Sequence, residues 1–212
     1  MVGPSISPPG AICPRCLGQV ALDLQGHHAL TCKRGPDVRV VSHHNALRDC
    51  LYDFCRWAGL NPQREMGAGM GSSHHSQRRP ADLLLPNWTL GQDAAIDVTV
   101  VHPLNSCFLT GASTIGGVAA ESRAETKAAT NGPKCHELGW RCIPMAVSVF
   151  GEWCDSGAET IGRIASHLAL QTRSRITTAR GAILTRLTVS LMRSNARAML
   201  GRAAGRDIGA VS

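Results

Sequence analysis

The sequence predicts a mixed α/β (α+β) fold, and three observations carry that expectation. The hydrophobic pattern runs helix, strand, strand, helix, strand, helices. A run rich in valine and isoleucine, AIDVTVV, alternates near its centre. Ahead of both lies a short cysteine- and histidine-rich stretch, too polar to fold by core burial alone. At 212 residues the chain has room for one ordinary domain and a small appended module. Its apolar fraction of 43% suits a soluble chain that can bury a core. No run approaches the roughly 20 apolar residues of a spanning helix, and MVGPSISPPG lacks the basic start and apolar run of a secretory signal. The expected location is therefore intracellular, with no membrane partner.

Taken in order, residues 1–10 form a Pro-rich, flexible leader, 11–36 the cysteine-rich module, 43–154 the α/β core and 155–204 basic helices. From Asn45 to Ala58 the apolar residues Leu47, Cys50, Leu51, Phe54, Trp57 and Ala58 recur at helical spacing, and Gly59 with Pro62 stops the pattern. Met66 to Gln77 is a Gly/Ser/His-rich loop in which His74 and His75 are expected to be solvated. Strands are predicted for Ala81–Leu85 and Ala94–Val101, joined hairpin-fashion through Pro86, Asn87 and Gly91. Ile115–Ala129 reads as a helix ended by Asn131-Gly132-Pro133, and Cys142–Phe150 as a buried strand. Helices are predicted over Ala158–Gln171 and Ala182–Leu200, the latter with Arg186, Arg193 and Arg197 on one side.

The formal net charge of +7 is uneven: between Ile161 and Arg206 stand nine arginines and no acid. That pattern implies a polyanionic partner such as nucleic acid, with a solvated basic face as the plain alternative. Nine cysteines without a secretory signal argue for metal binding over a disulfide framework. Cys13, Cys16, His28 and Cys32 form C-x2-C-x11-H-x3-C, three thiolates and an imidazole suited to tetrahedral, structural zinc. His27 could replace His28, and spacing leaves that choice open. Cys50, Cys55, Cys107, Cys135, Cys142 and Cys154 show no paired spacing, and most are expected to be small core residues.

Asp82 in RPAD and Asp97 in AIDVTV lie on neighbouring predicted strands. Two carboxylates so placed can share one divalent cation such as magnesium, as metal-assisted phosphodiester cleavage requires. The plainer alternative has Asp82 capping a turn or pairing with Arg79, and Asp97 facing solvent on an edge strand.

The stretch from CPRC through GHHALTC, then SHHNALRD, Glu65, RPAD, the tryptophan of LPNW, AIDVTVVHP and GVAAESRAETK resembles the carboxy-terminal region of non-LTR retrotransposon proteins of the restriction-like endonuclease type. The similarity covers roughly Cys13 to Leu200. It implies a zinc knuckle (Cys13, Cys16, His28, Cys32) beside a PD-(D/E)xK nuclease that nicks DNA, with Asp82 and Asp97 as magnesium ligands and Lys127 as the catalytic lysine. Thr99 stands where commoner enzymes of that fold carry the lysine. The family's second lysine and tyrosine fall at Thr130 and Asn131, its next-strand glutamate at Ser148 and its Arg-His-Asn at His43-His44-Asn45. Asn195 also matches a family position. Glu65 is a candidate further metal ligand. Lys134 is expected beyond the end of the helix and poorly placed for catalysis. The implied protein is a nuclear endonuclease acting with a reverse transcriptase, supplied by a partner or by a lost fusion domain. The competing readings are a catalytically inactive knuckle that binds nucleic acid, DNA before RNA, and a transcribed fragment without a cellular role.

Overall fold

The computed structural model describes residues 10–16, 20–32, 39–64, 81–105, 108 and 116–203. Residues 1–9 of the leader, the Met66–Gln77 loop with His74 and His75, and Glu65, Arg79 and Cys107 lie outside them. The architecture is mixed α/β: a four-stranded sheet in the order β1 (Gln63–Arg64), β2 (Leu83–Thr89), β3 (Gln92–Val101) and β4 (Arg141–Ser148). Among the described residues five α-helices accompany it: α1 (His27–Thr31), α2 (Arg39–Trp57), α3 (Val118–Glu137), α4 (Asp155–Thr172) and α5 (Ile176–Ala203). β1 and β3 flank β2 in antiparallel fashion. β4 lies parallel to β3, so α3 serves as the crossover that a parallel pair requires.

β3 explains why the sheet must be covered on both faces, since Ala94 through Thr99 are all buried. Ile96 and Val98 join Leu47, Leu51 and Phe54 of α2, Ile161 and Ile164 of α4, and Ile183 and Leu187 of α5 in the main core. Truncating a side chain as enclosed as Leu51 costs about 2–5 kcal/mol. The other face is built from small residues: Ala119, Ala120 and Ala124 of α3 meet Val101 and Ala146, while Ala95 and Leu84 meet Cys135. Alanine at these positions brings α3 close to the sheet, and with it whatever polar groups α3 carries.

Three expectations about element ends need correcting. β2 does not stop at Leu85 but runs to Thr89 across a register slip, with Asn87 at φ 53 and its side-chain oxygen accepting from Gly91 N–H at 2.9 Å. β4 ends at Ser148, leaving Phe150 beyond it and half exposed. Asn131-Gly132-Pro133 does not end α3, which continues through Pro133 to Glu137. The proline ring deprives the Ala129 carbonyl of its donor, but both residues lie on the exposed side, where water can substitute. Beyond it, Cys135 is fully enclosed against Ala81, Leu84 and Ala95, which rewards continuing the helix.

α2 and α5 are joined by a buried polar link. His43 Nε2 lies 2.8 Å from Asn195 Oδ1, and Asn195 Nδ2 donates to the Val149 carbonyl at 2.7 Å. Asn195 therefore ties two helices to the end of the sheet. No helix among the described residues is long and apolar enough to cross a membrane.

Candidate metal centres

The amino-terminal module is built around its ligands. An isolated bridge between Ile12 and Ala21, with Cys13 N–H donating to the Val20 carbonyl, folds CPRC into a tight turn that continues as a single 3-10 turn, Pro14–Cys16. Asp23 then starts α1: its carboxylate accepts from the amides of His27 at 2.7 Å and His28 at 2.6 Å. Against desolvation, those two amides hold its carboxyl below the ordinary aspartate value. This cap turns His28 inward, where Nε2 stands 3.4 Å from Cys16 Sγ. Cys16 Sγ is 3.6 Å and Cys13 Sγ 3.9 Å from Cys32 Sγ.

Zinc bonds of about 2.3 Å to sulfur and 2.0–2.1 Å to nitrogen in a tetrahedron give ligand edges of about 3.8 Å (S to S) and about 3.5 Å (S to N). The observed edges match. Cys13, Cys16, His28 and Cys32 are, among the described residues, the group of three or more Cys, His, Asp or Glu whose ligand atoms all lie within 4.8 Å of one another. They could hold a metal such as zinc. Desolvation pushes the Cys16 thiol up to about 11, with the Cys32 and Cys13 thiols adding to it, so a cation is what would make three thiolates tolerable there. His27 is not in this group; its ring meets His102 edge-on with centroids 5.5 Å apart. The module also docks on the core, where Leu30 packs with Val149 and Ala198.

A second polar centre forms where β2, β3, α2 and α3 meet. Asp97 is on the central strand β3, only 5% exposed, not on an edge strand facing solvent. Its position on the α3 side of the sheet follows from the alternation that sends Ile96 and Val98 to the main core. Lys127 Nζ bridges both of its carboxylate oxygens, at 3.0 and 2.9 Å, and Asn131 Nδ2 donates to Oδ2 at 2.6 Å. Lys127 and Asn131 are one helical turn apart, so the unbroken α3 delivers both.

Asp82 precedes β2, its amide bonded to the Ile96 carbonyl, and its Oδ2 accepts from Val98 N–H at 2.7 Å. His44 Nε2 reaches the same oxygen at 2.8 Å. Asp82 therefore pairs with His44, and the alternative partner Arg79 lies outside the described residues. Desolvation pushes the Asp97 carboxyl above the ordinary value; Lys127 opposes this and the Asp82 charge adds to it. The hydrogen bond that the His44 imidazole donates to the Asp82 carboxylate raises its pKa, against its own burial. The two aspartates thus feel each other electrostatically, each already holding a cationic or polar partner.

Lys134 is elsewhere, paired with exposed Glu137 at 2.7 Å. Thr130 directs its hydroxyl to the Thr126 carbonyl at 2.8 Å. Thr99 is buried on β3, and Ser148 Oγ accepts from the amides of Phe150 and Glu152. Cys50, Cys55, Cys135 and Cys154 are buried thiols; desolvation pushes the partly buried Cys142 to about 12 and Cys55 to about 12. His44 and Asn131 were not singled out from the sequence as site residues, although His44 sits inside the quoted SHHNALRD. Compared with known proteins, the chain matches no family model, no curated protein and no solved structure.

Proposed function

We propose that this protein is a retroelement-derived, restriction-endonuclease-like PD-(D/E)xK nuclease that nicks DNA by metal-dependent phosphodiester hydrolysis, its structural zinc held in the amino-terminal knuckle. One observation carries the reading: two aspartates, from just before β2 and the middle of β3, feel each other's charge, and a lysine from the packed helix holds the second. The hard oxygen donors of Asp82 and Asp97 fit magnesium in type. When bound, magnesium would neutralise charge on the scissile phosphate and lower the pKa of the attacking water.

The chain's own residues set the rest of the mechanism. Lys127 spans both oxygens of Asp97, and its ammonium would have to release that carboxylate to face a bound phosphate. There it would stabilise the charge that develops as the leaving oxygen departs, a contribution of about 100- to 1,000-fold for a single well-placed donor. Asn131 would keep its hydrogen bond to Asp97 Oδ2 meanwhile. His44 and the Val98 amide fix the rotamer of Asp82. Acting in the nucleus with a reverse transcriptase is part of the same proposal.

One observation favours a catalytically inactive binding module instead: position 130 offers a hydroxyl already bonded within its helix, where the resembled family has a second lysine. Supercoiled plasmid decides between them. The parent should nick it with magnesium and stop when the metal is chelated, while Asp82→Asn and Asp97→Asn should be inert. Nicking by either variant at the parent rate contradicts the site.

A further inference from the structure

A groove of about 340 Å³ runs between α2 and α5, away from the paired aspartates. Arg186, Arg193 and Arg197 line it from α5, and Asp49, Cys50 and Asp53 from α2. On a helix of about 3.6 residues per turn, positions 7 and 4 apart fall within about 40° of one another, so the three arginines form one stripe about 16 Å long. All three are exposed. Arg186 is oriented by the Trp57 ring, 5.5 Å from its guanidinium carbon. Among the described residues, Arg193 and Arg197 make no ion pair. α5 contains no acid at all.

The acids on the facing wall are partly spent. Asp49 is bridged by Arg48 at 2.9 Å and by Arg64 at 3.6 Å. The groove therefore keeps an excess of guanidinium groups, with Ser190 and Ser194 between them as hydrogen-bond donors. Among the described residues no aromatic side chain lines the groove itself, Trp57 standing beyond Arg186, so unpaired bases find no stacking partner inside it. His44, which touches Asp82, lies on the opposite side of α2 from Asp49 and Asp53 at helical spacing.

We propose that the α2–α5 groove is a second nucleic-acid contact surface, which grips the sugar-phosphate backbone of duplex DNA remote from the paired aspartates. The identity of the polyanion rests on the nuclease reading; the groove itself rests on the charge and shape just described. Forked guanidinium donors suit phosphate oxygens, and contacts of this kind position a duplex without reading its sequence.

Binding of a short fluorescent duplex, measured over about 50 to 200 mM salt in an Asp97→Asn background that prevents cleavage, tests it. Arg193→Ala/Arg197→Ala should weaken binding by about 10-fold or more and lower the slope of log K against log salt by about two. Arg175→Ala/Arg180→Ala removes the same charge outside the groove and should leave the slope unchanged. Arg193→Lys/Arg197→Lys should retain most of the binding. Equal losses from the two alanine pairs, an undiminished slope in the groove variant, tighter binding of single strands than of duplex, or no duplex binding by the parent each overturn the proposal. If the groove effect fails while nicking still needs Asp82 and Asp97, the groove alone is wrong. A groove effect that persists when nicking ignores those aspartates supports the groove and sinks the nuclease reading instead.

Discussion

The knuckle and the carboxylate centre are both polar clusters, yet they are assembled in opposite ways. Cys13, Cys16, His28 and Cys32 come from one short segment, and their ligand atoms already stand at the edges of a tetrahedron. Asp82, Asp97, Lys127 and His44 come from separate elements, and internal partners occupy them. A cluster of thiols cannot satisfy itself, so it waits for a cation; a carboxylate beside a lysine can. The first arrangement therefore suits a resident ion, while the second is satisfied by its own residues.

The largest effect expected from this contrast is on the knuckle. Structural zinc in such peptides is linked to about 10–16 kcal/mol of apparent binding energy, so Cys16→Ser or chelation should unfold residues 11–32. Loss of the amide dispersion of that segment, with the core's retained, is the expected NMR result. Because the Cys16 thiol is pushed up to about 11, metal must displace its proton at neutral pH, and zinc loading should fall as pH falls. Loading that is flat between about pH 5 and 8 contradicts thiolate ligation.

Next comes the ion pair. Lys127→Ala leaves the Asp97 charge enclosed with only Asn131 beside it, which should destabilise the fold by about 3–5 kcal/mol in urea at neutral pH. An aspartate whose folded pKa is raised disfavours the fold above its unfolded pKa, so this deficit should shrink as pH falls and Asp97 takes up a proton. Asn195→Ala should cost less, about 1–3 kcal/mol, by removing the hydrogen bond at His43 Nε2 and the donor to the Val149 carbonyl.

The smallest effect concerns His44. Its imidazole is raised above the ordinary 6.5 chiefly by Asp82, so below that raised value a charged ring competes with magnesium for the carboxylate. Nicking should rise as pH climbs through it, and His44→Gln should flatten that limb with less than about 10-fold loss of rate at high pH. An identical profile in the variant removes His44 from the account.

What could be read in advance follows the same division. The knuckle was legible because its four ligands are set by short spacings, but spacing could not separate His27 from His28; the Asp23 cap on α1 does that. β3 was legible from its apolar run, and Asp97 from being a charge inside it. The end of α3 was misread because Asn131-Gly132-Pro133 is a strong local stop, overridden by the burial of Cys135 and the hold of Asn131 on Asp97. Lys127 stands beside Asp97, while Lys134 pairs with Glu137 on a helix that is not broken before it. His44 and Asp82, far apart in the chain, gave no local sign of their contact.

On the proposed nuclease reading, the carboxylate centre takes a second metal, distinct from the knuckle's. Calorimetric titration of magnesium into the zinc-loaded chain tests it most directly. The parent should show one weak site, absent from Asp82→Asn and Asp97→Asn, with about one zinc retained in all three proteins. Magnesium binding unchanged in both variants, or none in the parent, contradicts it.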